Sequence, residues 1–306
     1  MKKTAVLMST YNGGKYLKEQ IESILAQEGT EVTLFVRDDG STDETKELLM
    51  RYMEQYGIVV TFGQNAGVGN SFMQLLYSVP EEFDYYAFSD QDDIWMPDKL
   101  AAAERKLEAE EGPALYTSNQ MLTDAAGNET GLRYESNPGT SVQQILHNNK
   151  LAGCTFVWNS RMHALYRDER RRPDPALLKV RIHDVWTAMA AAVAGTVIYD
   201  QEAHILYRQH ESNVVGAKES GFGDVARMWK KKLGDRSLRQ GRSRLCREIC
   251  LRYRDRLGDH RDLLRTFAFY TKSAKLKRRL IADSGQAVYS GESAAAWRAK
   301  VMMNLV

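Results

Sequence analysis

Tyr85-Tyr86-Ala87-Phe88-Ser89-Asp90-Gln91-Asp92-Asp93 decides how the rest of the chain is read. Four apolar and aromatic residues in a row read as a buried strand, and the abrupt passage to carboxylates puts acidic groups at its carboxyl end. The same pattern occurs three times upstream. Thr4 to Met8 runs into Ser9-Thr10-Tyr11-Asn12-Gly13-Gly14, Val32 to Val36 into Arg37-Asp38-Asp39-Gly40-Ser41-Thr42-Asp43, and Ile58 to Phe62 into Gly63-Gln64-Asn65-Ala66-Gly67. Each of these polar loops leads into a helical pattern: Leu17, Ile21, Ile24 and Leu25 after the first, about Glu44 to Tyr56 after the second, about Asn70 to Tyr77 after the third. Strand and helix in alternation build βαβ units, so the expected fold is α/β with a mostly parallel, Rossmann-like sheet flanked by helices. The loops at the carboxyl ends of such strands line the ligand crevice, so these four should converge there. Downstream the pattern predicts a helix over Pro97–Glu110, a strand over Ala114–Met121 and an element at Cys154–Trp158. A helix over Asp184–Ala194 and two strands, Thr196–Tyr199 and His204–Tyr207, follow.

The 306 residues are enough for one large domain or two modest ones. Hydrophobic residues at 43% and charged residues at 27% argue against disorder and against a multi-span membrane protein. The longest apolar run, Ala188 to Tyr199, is too short to cross a bilayer and is broken by Gly195. Met1-Lys2-Lys3-Thr4 opens no secretory pattern, and the expected location is the cytoplasm. Three cysteines, with Cys154 alone and Cys246 and Cys250 four apart, outline neither a disulfide framework nor a metal knuckle. The net charge of +2 hides an asymmetry: residues 217–306 carry 22 Lys+Arg against 9 Asp+Glu, and residues 1–216 carry 20 against 31. An acidic body attracts metal ions and a basic tail attracts phosphate-bearing partners. Gly216 to Gly223 is the best boundary between them, which divides the chain into 1–216 and 217–306.

Carboxylates two apart beyond a strand, as Asp90 and Asp92 are, can converge on one hard cation, and Mg²⁺ or Mn²⁺ takes few protein oxygens together with phosphate oxygens. A solvated acidic turn, with Asp93 capping a helix, is the plainer alternative. Asp38-Asp39-Gly40-Ser41 offers acceptors for a ribose hydroxyl or a base N–H, and Gly40 lets the backbone turn beside a ligand; a turn with a helix cap would need no ligand. No G-x-G-x-x-G follows the first strand and there is no Walker A sequence, which disfavours dinucleotide and P-loop sites.

Taken together these loops resemble the inverting nucleotide-sugar glycosyltransferases of family 2, with the GT-A fold. The likeness spans about residues 4–216. It rests on the four loops and on Gly153-Cys154-Thr155, Ile182-His183-Asp184 and Tyr207-Arg208-Gln209-His210-Glu211-Ser212-Asn213. Asp90-Gln91-Asp92-Asp93-Ile94-Trp95 and Tyr207 to His210 are most similar to the rhamnosyltransferase-like branch, which builds bacterial surface polysaccharides. The resemblance implies Thr10 and Tyr11 beside the base, Asp39 on base or ribose, Asn12 and Asn65 in the donor site, and Asp90 nearer the ribose. It implies Asp92 on the metal, Arg208 and His210 near the diphosphate with His210 as a metal ligand, and Asp184 as the catalytic base. The cofactor expected is Mn²⁺ or Mg²⁺, the donor a nucleoside-diphosphate sugar, with L-rhamnose as the branch-level choice, and the acceptor a glycan or lipid-linked glycan.

Trp95, His183 and Trp186 follow or adjoin proposed functional carboxylates, which makes them acceptor-side candidates; core packing for the tryptophans and a surface imidazole for His183 are the alternatives. Asp184 is equally readable as a helix N-cap, and Cys154 reads as a small buried residue. The C-terminal region reads as basic amphipathic helices, suited either to an anionic membrane surface at the inner face of the cell membrane or to packing on the catalytic domain. No nucleic-acid module accompanies the charge. Two other functions fit parts of the pattern: an Asp-x-Asp phosphohydrolase and a non-catalytic nucleotide-sugar-binding scaffold.

Overall fold

A computed structural model describes residues 1–124, 127–208 and 240–306. Four parallel strands, β1 (Lys2–Thr10), β2 (Thr30–Asp38), β3 (Val59–Phe62) and β4 (Tyr85–Ser89), lie in the order β3-β2-β1-β4. Val6, Met8 and Ala87 face one apolar layer while Ala5, Leu7, Tyr86 and Phe88 face the other. Burial on both faces is why β1 and β4 read as unbroken apolar runs. The crossovers are α1 (Gly14–Leu25), α2 (Thr45–Tyr56) and α3 (Val68–Ser78). Register sets the site: Thr10 pairs with Asp38 and Met8 with Ser89, so the loops after β1, β2 and β4 leave the sheet side by side.

Beyond β4 the sheet continues through β8 (Val157–Asn159), β6 (Ala114–Thr123), β9 (Thr196–Arg208) and β5 (Ile94–Trp95). β8 is antiparallel to β4 and β6, β6 and β9 run parallel, and β7 (Glu129–Leu132) pairs antiparallel with β6. The two late strands expected from the sequence are one, because pairing with β6 passes from Asp200 to Ala203 across an irregularity that absorbs the polar residues between. Cys154–Trp158 divides into a 3₁₀ turn, Gly153–Thr155, and β8. Helix α4 spans Lys99–Leu107, starting two residues after Pro97, and Asp93 caps nothing. The expected helix over Asp184–Ala194 is observed as His183–Ala194, with Asp184 in its first turn and Ile182 at the N-cap.

The C-terminal helices 241–252, 261–269, 274–282, 286–290 and 294–302 pack on the α/β body. Leu245, Ile249, Tyr253, Phe267 and Trp297 belong to one apolar cluster with Leu146, Trp186 and Met189. Polar ties reinforce the contact: Arg171 pairs with Asp255 at 2.7 Å, and His147 Nε2 meets Gln286 Oε1 at 3.0 Å. The boundary at Gly216 lies outside the described residues. No helix among the described residues is long and apolar enough to cross a membrane.

Candidate active site

Side chains tie the four carboxyl-end loops to one another. Asn12 adopts φ +49°; its N–H donates to Ser41 Oγ at 2.9 Å, and its Oδ1 accepts from the Thr42 N–H at 2.8 Å. Gln91 clasps the first loop to the acidic one, accepting from Tyr11 N–H at 2.8 Å and donating to Tyr11 O at 3.2 Å. The buried Asp38 carboxylate accepts from the Gly40 and Ser41 N–H groups, which holds the turn at Gly40, φ +86°. A Cβ at Gly40 would lie 3.2 Å from Asn65 N, so glycine is required both for the dihedral and for the close approach.

Asp39, expected on the base or ribose, is 2% exposed and joins the second loop to the third. Its carboxylate accepts from Ala66 N–H at 2.8 Å, from Gly67 N–H at 3.0 Å and from the Arg37 guanidinium. A carboxylate has about four acceptor positions, so one further donor can be accommodated. Arg37, not singled out in the sequence, also donates to Ser71 Oγ and to Gln64 O. Thr10 is buried and donates to Asp38 Oδ1 at 3.3 Å, Tyr11 is half exposed, and Asn65 is exposed. Asn65 lines a cleft of about 370 Å³ together with Gly67, Asn70, Leu178, Lys179 and Ile182.

The acidic groups gather at the mouth of β4. Withdrawal from water, reinforced by the charges of Asp92 and Asp184, pushes the Asp90 carboxyl up to about 7. Burial likewise raises Asp184 to about 6, opposed by the N–H of Val185, which donates to its Oδ1 at 2.6 Å, and by Arg181 and Arg133. Asp93 is 1% exposed, and neither carboxylate oxygen has a hydrogen-bond partner of good geometry, although the Cys154 thiol and the Arg208 N–H lie close enough to favour its ionised form. Ligand atoms of Asp90, Asp93 and Cys154 lie within 4.8 Å of one another. Carboxylates held together against their mutual repulsion, with buried oxygens lacking a partner, form a donor set that a hard divalent cation fits. Lys99 is a buried cation the sequence did not single out: its Nζ sits 3.6 Å from the Trp95 ring without an acceptor, and burial lowers it to about 7.

Arg208 ends β9, is nearly buried, pairs with Glu19 and lies 4.8 Å from the Tyr16 ring centroid. His210 lies outside the described residues. The three acceptor-side candidates are corrected. His183 is no surface imidazole: its ring stacks on Phe72 at 3.9 Å and meets Phe88 edge-on at 5.1 Å. Trp95 is 2% exposed and Trp186 1%, the latter against Tyr253 at 6.1 Å. None of the three presents an exposed face: the helix carrying His183 and Trp186 is apolar nearly all round and is buried accordingly, and Trp95 lies in the core on β5. What does adjoin Asp184 is Gly153, where a Cβ would stand 3.3 Å from Asp184 Cβ and 2.8 Å from His183 Nε2.

A mostly parallel α/β sheet with acidic loops gathered at its carboxyl edge is the architecture of the glycosyltransferases with the GT-A fold. The family described as Glycosyl transferase family 2 matches residues 5–168, and the chain belongs to it. The chain is 30% identical over 239 residues to the dTDP-rhamnosyl transferase RfbG of Shigella flexneri, covering 74% of this chain and 81% of that protein. It is 28% identical to an uncharacterized glycosyltransferase of Rickettsia typhi, covering 74% and 70%. Among solved structures, S. aureus TarS 1-349 in complex with UDP matches 99% of this chain and 89% of its own, with a TM-score of 0.58 at 16% identity. The fold likeness therefore includes the C-terminal helices. The chain is a glycosyltransferase, and family membership leaves the phosphohydrolase and scaffold readings without support.

Proposed function

We propose that the enzyme is a metal-dependent, inverting glycosyltransferase that moves L-rhamnose from a nucleoside-diphosphate donor to a glycan acceptor in bacterial surface polysaccharide synthesis. The observation that carries this reading is the convergence of the Asp90 and Asp184 segments: Asp90 lies in one cluster with Cys154, the adjoining Gly153 abuts Asp184, and the charges of Asp92 and Asp184 help to raise the Asp90 carboxyl. The similarity to a dTDP-rhamnosyl transferase over most of both chains supports the sugar and the base. The UDP and UDP-GlcNAc bound by TarS support a nucleoside-diphosphate donor.

Asp92 and His210 would hold the Mn²⁺ or Mg²⁺, next to the buried carboxylate of Asp93, and Asp90 would take the ribose. When bound, such an ion neutralises charge on a departing diphosphate without a proton donor. The remaining steps belong to the chain's own residues. Thr10, Tyr11, Asn12, Asp39 and Asn65 frame the nucleoside in the crevice, and Arg208 lies on the diphosphate side. Asp184 takes the proton of the acceptor hydroxyl as that oxygen attacks the anomeric carbon, and one displacement inverts the configuration. Its carboxylate is suited to the role because burial leaves it basic near neutral pH. Residues 1–216 form the catalytic unit, with 217–306 its basic C-terminal region. The basic residues of the C-terminal region also suit an anionic membrane surface, which supports a lipid-linked glycan as the acceptor.

A thermal-shift panel of dTDP, UDP, GDP and their sugars, with and without Mn²⁺, tests this reading. Selective stabilisation by dTDP and dTDP-rhamnose that requires Mn²⁺ and is lost in Asp92→Ala is the expected result. Equal response to every nucleotide, or no dependence on the metal, would overturn it.

A further inference from the structure

Beside Asp184 lies a group of residues that neither the nucleotide loops nor the acidic cluster accounts for. Arg133 follows β7 and is fixed by backbone and side chain: its N–H donates to Gln120 O at 2.9 Å, and its guanidinium donates to Gln120 Oε1. Gln120 in turn reaches Cys154 Sγ at 3.4 Å, within the acidic cluster. The guanidinium lies between two rings, 5.5 Å from the centroid of Tyr134 and 5.3 Å from that of Tyr207. Lys150 Nζ lies 5.6 Å from the Tyr134 centroid. Tyr134 is itself anchored, its N–H and C=O both bonded to the Asn119 side chain and its hydroxyl donating to Lys150 O at 3.2 Å. Lys150 begins the short run to Gly153, the residue that abuts Asp184, and the charge of Arg133 acts on both Asp184 and Tyr207.

Two cations thus flank one ordered tyrosine at the edge of the proposed base, and among the described residues neither has a carboxylate within ion-pair distance. Lys150 is exposed and Arg133 partly exposed, so an anion can reach both from solvent. A guanidinium presents a planar fork of donors that matches phosphate and carboxylate oxygens. Aromatic faces beside it suit the apolar face of a sugar ring.

We propose that Arg133, Tyr134 and Lys150 form an acceptor subsite that selects a negatively charged acceptor, with Arg133 gripping a phosphate or carboxylate near the hydroxyl presented to Asp184. The proposal rests on the transfer reaction above but not on the identity of the donor sugar. The anion comes either from a diphosphate linking the growing glycan to a lipid or from a uronic acid within the glycan.

The test uses the full chain loaded with Mn²⁺ and dTDP. Calorimetry measures binding of three probes: an undecyl-diphospho-N-acetylglucosamine, octyl glucuronide and neutral octyl glucoside. At least one anionic probe is expected to bind tenfold or more tighter than the glucoside. Arg133→Gln removes that preference, Arg133→Lys restores part of it, and Lys150→Gln, an exposed change, weakens it severalfold. Preference for the first probe identifies the lipid diphosphate as the source, and preference for the second identifies a uronate. Binding of dTDP with Mn²⁺, measured separately, remains within twofold of wild type in each variant. Equal binding of all three probes, an unaltered preference in Arg133→Gln, or a parallel loss of dTDP binding would overturn the proposal. Failure of dTDP to bind the wild-type chain at all strikes the donor assignment instead, and the acceptor probes then still report on Arg133 in the nucleotide-free enzyme.

Discussion

A carboxylate in full contact with water is a weak base, and Asp184 is only partly exposed. Burial holds its carboxyl at about 6, with Val185 N–H, Arg181 and Arg133 limiting the rise. Asp184→Asn keeps the volume and removes the basicity. Turnover is expected to fall by about 10²–10⁴-fold, the usual scale of a general base, while calorimetry still finds the donor bound. Undiminished turnover would take Asp184 out of the mechanism. Arg37 matters for a different reason: it is paired with Asp39 in a site closed to solvent, and its removal leaves the buried Asp39 carboxylate with backbone N–H donors but no counter-charge. Arg37→Met is therefore expected to cost about 3–5 kcal/mol in urea denaturation, with the nucleotide crevice weakened through the third loop. Asp39 was legible in the sequence because Asp-Asp-Gly-Ser is a recognisable turn. Arg37 was not, since an arginine at a strand end reads as a solvated cation until the fold closes over it.

At the scale of elements, the crevice depends on how closely α3 approaches the segment that carries Asp184. Gly69 makes that approach possible: a Cβ there would lie 2.5 Å from Leu178 O and 3.2 Å from Ile182 Cα. Both obstacles are backbone and cannot rotate away. Gly69→Ala is expected to destabilise by about 1–3 kcal/mol, the range for overpacking a filled interior. Because Ile182 is the N-cap of the Asp184 helix, it should also lower kcat more than it raises the donor KM. Steady-state kinetics beside a denaturation curve separates the two effects. The helices and the first four strands were legible because their apolar spacing is local. The joining of two strands into β9 was not, because the polar residues at 200–202 look like a turn until β6 pairs on either side of them.

Among the described residues, three histidines are buried so that the neutral form is favoured. Burial lowers His147 to about 4, with Arg242 adding to the effect, and lowers His163 and His183 to about 3. In the unfolded chain each titrates near its ordinary value of about 6.5. As pH falls below that value the unfolded state takes up protons that the folded state refuses, so stability is lost from about pH 6.5 down to about 4 for His147 and about 3 for His163 and His183. The raised carboxyls of Asp90 and Asp184 act with the opposite sign, favouring the fold at low pH and losing that advantage as pH climbs through about 6 to 7. His147→Gln isolates one histidine and leaves an amide able to meet Gln286. Its Tm is expected to fall less than that of the wild type between pH 6.5 and 4.5, and parallel curves would remove His147 from the balance. Because His147 bridges the catalytic body to the C-terminal helices, this measurement also reports how firmly the two are joined.

By itself the sequence determined the order of the strands' polar loops, the presence of carboxylates in them and the family to which they belong. All of these are written in short runs where neighbours in the chain are neighbours in space. Only the tertiary structure decided which side chains face the crevice. Trp95, His183 and Trp186 turn inward because large rings bury more apolar area in the core than at the crevice edge. Arg133 and Lys150, 17 residues apart and carried by no recognisable motif, meet at Tyr134 only once β7 has folded back along β6. Long-range pairing of that kind follows from packing across the sheet, and no local pattern in the chain encodes it.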